Sequence, residues 1–165
     1  MLILLMAHLS ATAQIHIPNT RVTFEFPNGG WKYLNTFQPD KDVTVYLYSY
    51  MAQDIIDNDG DTIPPFMRIY VRRNYAEGAF DLAYARYSQQ PFQSLDEYFD
   101  GLPTKDGIGY IGAYASASDE KNYQFRMIYF KDRNNGIEIR LETTKDTFDK
   151  MDDEFRKIMK TVRID

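Results

Sequence analysis

The first half of the chain alternates apolar and polar residues with a period of two, which is typical of strands that are half-buried in a sheet. Segments 21–26, 43–50 and 66–71 follow this pattern and are rich in β-branched and aromatic residues. Two prolines precede the third segment, and a polar run containing glycine separates it from the second. The pattern predicts three strands in this half.

The middle of the chain changes to the spacing of helices. In segment 79–87, apolar residues recur every three or four positions. They are Phe80, Ala83, Tyr84 and Tyr87. Farther on, Ser94 and Glu97 have the spacing of a capping box, in which two side chains satisfy backbone N–H groups at the start of a helix. We expect a second, short helix there that carries Leu95, Tyr98 and Phe99 on one side.

Strands return in the last third, and a helix ends the chain. Segments 107–115, 123–131 and 136–142 alternate again, and Asn135-Gly136 is a strong hairpin signal. Segment 146–162 is the clearest helix. Its apolar stripe is Phe148, Met151, Phe155, Ile158 and Val162, and its polar face is Asp149, Asp152, Asp153, Glu154, Lys157 and Lys160. This order of elements predicts the α+β class, with an antiparallel sheet covered by helices.

Composition narrows the class of protein further. The chain has 165 residues with 13 Tyr, 11 Phe and no Cys. A domain of this length buries enough surface to form a stable core without disulfides. The net charge of −5 opposes nucleic-acid binding, because the phosphate backbone is itself negative. The lack of Cys excludes thiolate nucleophiles and thiolate metal ligands.

Residues 1–13 have the pattern of a signal peptide, which leaves 14–165 as a single domain. The apolar run 2–9 is too short to span a bilayer, and Ala11-Thr12-Ala13 provides a small-residue cleavage motif. No Lys or Arg precedes the run, so the alternative is a buried N-terminal strand or helix. The motif resembles signal peptides common in Bacteroidetes. It predicts a periplasmic or extracellular protein without a stable membrane span.

Several short motifs resemble one known family. Phe24-Glu25-Phe26-Pro27 and Trp31 follow the first strand, Asp81-Leu82-Ala83 lies in the helical middle, and the antiparallel run 107–142 precedes the helix that contains 155–162. In this order they resemble the Mog1/PsbP-like family, whose fold is an α/β/α sandwich. The resemblance implies a non-enzymatic binding or assembly role. It implies no catalytic motif, so it assigns no functional residue.

Two motifs suggest a ligand, but their context does not fit one. Segment 57–61 is rich in acidic residues like a calcium loop, yet no register places Gly at position 6 and Glu at position 12 after an acidic first ligand. Gly107, Gly109 and Gly112 have the spacing of a dinucleotide fingerprint, but a strand follows them where the fingerprint needs a helix. We therefore expect no metal and no cofactor.

Enzymatic chemistry would have to depend on carboxylates. Asp96, Glu97 and Asp100 lie close in sequence, but glycoside hydrolysis needs two carboxylates across a cleft. Ser116 and Ser118 have no histidine to activate them, because His16 lies near the end of the expected mature chain. Our first hypothesis is a non-enzymatic binding or assembly module of the bacterial cell envelope, with another envelope protein as its partner. The alternative is a small secreted hydrolase that acts on polysaccharide or peptide.

Aromatic residues of the helical middle are the candidates for a binding surface, since short helices cannot bury all of them. The candidates are Tyr84, Tyr87, Phe92 and Tyr98. Trp31 is a fifth, because a tryptophan can stack on a sugar. A tryptophan just after a strand is more often part of the core, and we interpret Trp31 mainly in that way.

The cleavage motif leads to a direct test of export. If Ala13 is the last residue of a signal peptide, the exported protein begins at Gln14. Mass spectrometry of the protein purified from its native host should show that N-terminus. An intact Met1 in a cytosolic fraction would contradict the prediction.

Overall fold

Ten strands and two helices build the part of the chain that the structure describes. The computed structural model describes residues 13–88 and 91–165, with the backbone alone at Tyr87. In chain order the elements are β1 (Ile15–His16), β2 (Val22–Phe24), β3 (Trp31–Asp40), β4 (Val43–Tyr50), β5 (Phe66–Arg72), α1 (Ala79–Tyr87), β6 (Phe92–Tyr98), β7 (Ile108–Ala115), β8 (Asn122–Asp132), β9 (Asn135–Thr144), α2 (Phe148–Thr161) and β10 (Arg163–Ile164).

Seven of the strands form one large antiparallel sheet. Their order is β3-β4-β5-β9-β8-β7-β6, so that β3 and β6 lie at its two edges. Three short strands form a second sheet in the order β1-β2-β10. The chain is therefore of the α+β class, as the sequence predicts.

Strand β8 shows how the two helices relate to the large sheet, because alternate side chains of a strand point to opposite faces. Met127 and Tyr129 pack in one cluster with Leu82 of α1. Ile128 and Phe130 pack in a second cluster with the apolar residues of α2. We refer to these two sides of the sheet as the α1 face and the α2 face.

Helix α2 packs on the sheet through the predicted stripe. Its buried residues are Phe148, Met151, Phe155, Ile158 and Met159. The prediction that Asp152 faces water is wrong: its carboxylate accepts hydrogen bonds from the buried guanidinium of Arg126 on β8, with Nη2 to Oδ2 at 3.0 Å. Helical periodicity cannot reveal this pairing, since the arginine comes from a distant strand.

Helix α1 packs on the sheet through smaller residues than its spacing predicts. Leu82 and Ala83 are buried, whereas Phe80 and Tyr84 are exposed. The helix approaches β9 closely, because a Cβ added to Gly136 would come within 3.0 Å of the Leu82 side chain. The predicted helix is confirmed, but Phe80 and Tyr84 point away from the core.

The predicted second helix is wrong, and β6 occupies that segment. Leu95 pairs with Gly112, and Tyr98 pairs with Gly109 on β7. A Cβ at Gly109 would collide with the Tyr98 ring, and one at Gly112 would come within 2.6 Å of the Phe125 ring. These glycines leave room for the large side chains of β6. Cross-strand packing therefore outweighs a local capping signal that involves two residues.

Strand β3 and the N-terminal segment are two further points of comparison. The alternation that predicts the other strands does not identify β3, because this edge strand is exposed along most of its length.

Of the predicted signal peptide at 1–13, all but Ala13 lies outside the described residues. Across the described ranges, the helices fall short of the length and apolarity that crossing a membrane requires.

Phe155 should dominate the stability that α2 contributes, because it is 0% exposed at the centre of the buried stripe. Replacing Phe155 with Ala should lower the free energy of unfolding by about 3–5 kcal/mol, measured by urea denaturation. The matched control is Asp153→Ala, since the Asp153 side chain is 79% exposed and pairs only across the helix surface with Lys157. That change should cost about 0.5 kcal/mol or less. Equal effects of the two substitutions would contradict this assignment.

Candidate functional site

The large sheet separates the five residues that the sequence singles out. Tyr84 of α1 and Phe92 of β6 lie on the α1 face. Tyr98 lies on the α2 face, because it packs against the cluster that contains the buried residues of α2. Trp31 begins β3 at the other edge of the sheet. Tyr87 ends α1, and its side chain lies outside the described part of the structure.

Trp31 is a core residue rather than a sugar platform. It is 8% exposed, and its ring stacks on Phe26 with centroids 5.4 Å apart. Its indole Nε1 donates a hydrogen bond to the Glu154 carboxylate at 3.3 Å. Both ring faces and the polar tip thus have structural roles, consistent with the interpretation of Trp31 as a core residue.

Phe92 also has a structural contact. Its ring lies 5.2 Å from that of Phe125, a fully buried residue of β8. The Phe92 side chain is half-buried. It therefore anchors edge strand β6 to the core, and a polar substitution there would disturb the fold as well as the surface.

A small cleft lies between α1 and β6. Phe80 and Tyr84 project from the helix with 61% and 67% of their surface exposed, and both line the cleft. The rest of the lining comes from Leu95 and Glu97 of β6 and Tyr110 of β7. The cleft has a volume of about 140 Å³. We call these five residues the α1–β6 surface. Exposed aromatic side chains that border a concave apolar surface are typical of contact sites.

The charge on this surface is acidic. Glu97 lines the cleft and is exposed, and Asp81 is exposed on the same helix as Phe80. Arg86, the basic residue in the last turn of α1, is instead turned toward the sheet. An apolar centre with an acidic border favours a partner that is apolar and basic.

An ionic network under α1 fixes the orientation of the helix. Nε of Arg86 donates to the Glu138 carboxylate at 3.0 Å, and Nη2 of Arg140 donates to the other oxygen of Glu138 at 3.0 Å. The guanidinium of Arg86 also lies over the Tyr70 ring, 4.7 Å from its centroid. Because Glu138 is 2% exposed, its charge needs these two partners. The network holds α1 with Phe80 and Tyr84 facing outward.

The two carboxylates of β6 lie on opposite faces of the sheet, and the Asp152 carboxylate of α2 pairs with two arginines. Asp96 and Glu97 project to opposite faces of β6 and cannot act together. Burial would raise the pKa of Asp152, but the hydrogen bonds and charges of Arg126 and Arg156 outweigh it and hold that pKa below its usual value. A general acid needs a shift in the other direction.

The candidate serines Ser116 and Ser118 lie in the turn between β7 and β8, close to Asp119 and Tyr123. Hydrogen bonds from Tyr123 and Ser116 lower the pKa of Asp119. The hydroxyls of Ser116 and Ser118 lie 3.0 Å apart and bond to each other. Together these residues close the turn between β7 and β8.

The acidic loop between β4 and β5 surrounds the ammonium group of Lys121, which comes from a distant part of the chain. Nζ of Lys121, from the turn before β8, binds the carboxylates of Asp57, Asp59 and Asp61, the last two at 3.1 and 2.8 Å. The Asp57 carboxylate also accepts from the backbone N–H groups of Asp59 and Asp61. Hydrogen bonding to Asp57 and Asp61 raises the pKa of Lys121 above its ordinary value, so the ammonium remains charged. A lysine thus occupies the position that a bound calcium ion would take.

Tyr98 contributes to a different region, the α2 face. Its hydroxyl donates to the backbone carbonyl of Met127 at 3.3 Å. Burial raises the pKa of Tyr98 to about 12. Its ring, together with Arg126 and α2, borders a second cavity that is separate from the α1–β6 surface.

Comparison with known proteins identifies a shared fold. No family model matches the chain, and no curated protein matches it in sequence. Among solved structures, the crystal structure of LpqN from Mycobacterium tuberculosis, described as involved in cell envelope biogenesis, is similar with a TM-score of 0.54. The alignment covers 92% of this chain and 88% of LpqN at 13% sequence identity. The likeness is therefore one of fold.

Sequence reasoning identifies only Tyr84 among the five residues of the α1–β6 surface and misses the other four. It gives Phe80 no role beyond the helical spacing, and it places Leu95 and Glu97 on a helix. Tyr110 lies within the glycine motif and is buried beneath the cleft. The alternation around Gly109 and Gly112 could have indicated a neighbouring strand with large side chains, because such glycines often mark close contacts in sheets.

Calcium should not stabilise the protein, because it would have to displace the Lys121 ammonium from the Asp57–Asp61 loop. We expect the melting temperature to remain unchanged when millimolar calcium is added. The variant Lys121→Gln removes the cation and leaves three carboxylates that repel one another, so it should melt at a lower temperature without calcium. A calcium-dependent rise in the melting temperature of the unmodified protein would contradict this account.

Proposed function

We propose that this protein is a non-enzymatic binding or assembly module of the bacterial cell envelope that contacts a partner protein through the α1–β6 surface. The observation that carries the proposal is the exposure of Phe80 and Tyr84, at 61% and 67%, beside a cleft on a helix that is held in place from below. Tyr and Phe are enriched in the cores of protein interfaces. We further propose that the protein acts in the periplasm or outside the cell.

The fold comparison supports an envelope role. LpqN, which shares the fold over most of both chains, is described as involved in cell envelope biogenesis. We assign the chain to the Mog1/PsbP-like type of α/β/α sandwich on the sequence motifs given above. Because a fold by itself does not determine function, the proposal depends on the surface and takes the comparison as support.

The chemistry of the surface indicates the kind of partner. The cleft is lined by four apolar or aromatic side chains and one charged residue, the exposed acid Glu97. A partner protein with an apolar side chain flanked by Lys or Arg would complement both features. Raised ionic strength should therefore weaken the complex.

The hydrolase alternative receives less support from the geometry. It requires a pair of carboxylates across a cleft, one with a raised pKa. Where the described carboxyl groups show a shift, as Asp57, Asp119, Asp146 and Asp152 do, the pKa is lowered. Their arginine, lysine, tyrosine and backbone partners hold them ionised, which suits ion pairing rather than proton donation.

The double variant Phe80→Ser, Tyr84→Ser tests the proposal, because both side chains are exposed and their loss should leave the fold intact. We expect a melting temperature near that of the unmodified protein. In-cell cross-linking in the native host, followed by quantitative mass spectrometry, should show at least a tenfold loss of the cross-linked partner. This loss corresponds to about 1.4 kcal/mol of binding free energy.

The matched control is Phe37→Ser, since Phe37 is 43% exposed on edge strand β3 at the far side of the sheet. That variant should keep the partner. The charge reversal Glu97→Lys should weaken the same cross-link without affecting the fold. Retention of the partner by the double variant, or equal loss in the Phe37 control, would contradict the proposed contact surface.

A further inference from the structure

The α2 face contains a second cavity, and we propose that it binds a small organic carboxylate that carries a short apolar chain. The cavity has a volume of about 250 Å³ and lies between α2 and strands β6, β7 and β8. It is separated from the α1–β6 surface by the sheet itself. The proposed site is therefore independent of the partner contact.

The floor and one wall of the cavity are apolar. Ile111 of β7, Ile128 of β8 and Met159 of α2 line it. The Tyr98 ring forms a wall by lying across Gly109, where a side chain would collide with it. The Tyr98 hydroxyl is bonded to a backbone carbonyl, so it offers its ring rather than its polar tip. This lining favours a ligand with an alkyl chain or ring.

The rim of the cavity carries positive charge from three side chains. Arg126 is 8% exposed, and its Nε and Nη2 bind the Asp152 carboxylate. The Arg126 guanidinium also bonds to the Tyr98 hydroxyl, so the contact with a ligand falls to the two cations nearer the solvent. Arg156 also pairs with Asp152 and is 57% exposed, and Lys160 follows one turn later on α2.

The charge balance selects a monoanion. Three cations, Arg126, Arg156 and Lys160, face two carboxylates, Asp152 and the exposed Asp100 at the rim, which leaves one net positive charge. One carboxylate neutralises that charge, whereas a dianion would be repelled by the two acidic groups. Asp96, the next acidic residue on this face, is exposed to water, which screens it.

The size of the cavity limits the ligand to a short chain. Its volume of about 250 Å³ lies below the range of about 300–1,000 Å³ found for sites of drug-sized ligands. A carboxylate can meet the Arg156 guanidinium or the Lys160 ammonium in a charge-assisted hydrogen bond, while the attached chain covers Ile111. A free fatty acid of short length and the end of an acyl chain with a carboxyl group share this chemistry.

Octanoate, octanol and acetate serve as probes that separate charge from apolar contact. Titrated into the full protein below micelle-forming concentration and followed by two-dimensional NMR, octanoate should shift the amide signals of Gly109, Ile111 and Met159. Octanol, which lacks the charge, and acetate, which lacks the chain, should each bind at least tenfold more weakly. Octanol binding as tightly as octanoate would overturn the assignment of a carboxylate.

Variants at the rim and the floor complete the test. Lys160→Gln and Arg156→Gln should each weaken octanoate binding about tenfold, whereas Lys157→Gln, an exposed change on the same helix, should leave it unchanged. Ile111→Phe should fill the cavity and abolish binding while the amide spectrum otherwise remains that of a folded protein. No octanoate shift at millimolar concentration, or binding that persists in Ile111→Phe, would overturn the proposal without affecting the partner contact on the other face.

Discussion

The Glu138 carboxylate is the interaction on which the arrangement of the α1 face depends. It lies on the central strand β9, is 2% exposed, and is shared between Arg140 of its own strand and Arg86 of α1. A buried charge of this kind costs free energy unless it is fully paired, and the removal of one partner leaves the others uncompensated. The pairing therefore constrains where α1 can sit. It turns the arginine of the helix inward and leaves Phe80 and Tyr84 facing outward.

On the α2 face, a different ion pair neutralises a buried charge. Arg126 of β8 is buried beneath α2, and Asp152 supplies its counter-charge from the helix. Helix and strand are thus matched by charge on each side of the sheet, in addition to their apolar contacts. On the α1 face the result is an aromatic surface with acidic surroundings, and on the α2 face it is an apolar cavity with a cationic rim. One sheet separates two regions of opposite charge.

Pairing of charges also accounts for the arrangement of two acidic clusters in the described structure. Asp57, Asp59 and Asp61 surround Lys121, and Asp152 is held between two arginines. In both places a basic side chain from a distant part of the chain supplies the cation. These carboxylates act as structural partners that join distant parts of the chain.

Elements whose signal is local and repeated could be predicted from the sequence. Periodicity predicts the stripe of α2, the strands with clear alternation and the α+β class. The hairpin between β8 and β9 is also predicted, but its turn is Arg133-Asn134, and Asn135-Gly136 instead begins β9. Tertiary structure decided the rest. β6 is a strand because Gly109 and Gly112 of β7 leave room for its side chains, and β3 is an exposed edge without alternation. The candidate site was divided between two faces for the same reason: which side of a sheet a residue occupies depends on pairing with strands that are distant in sequence.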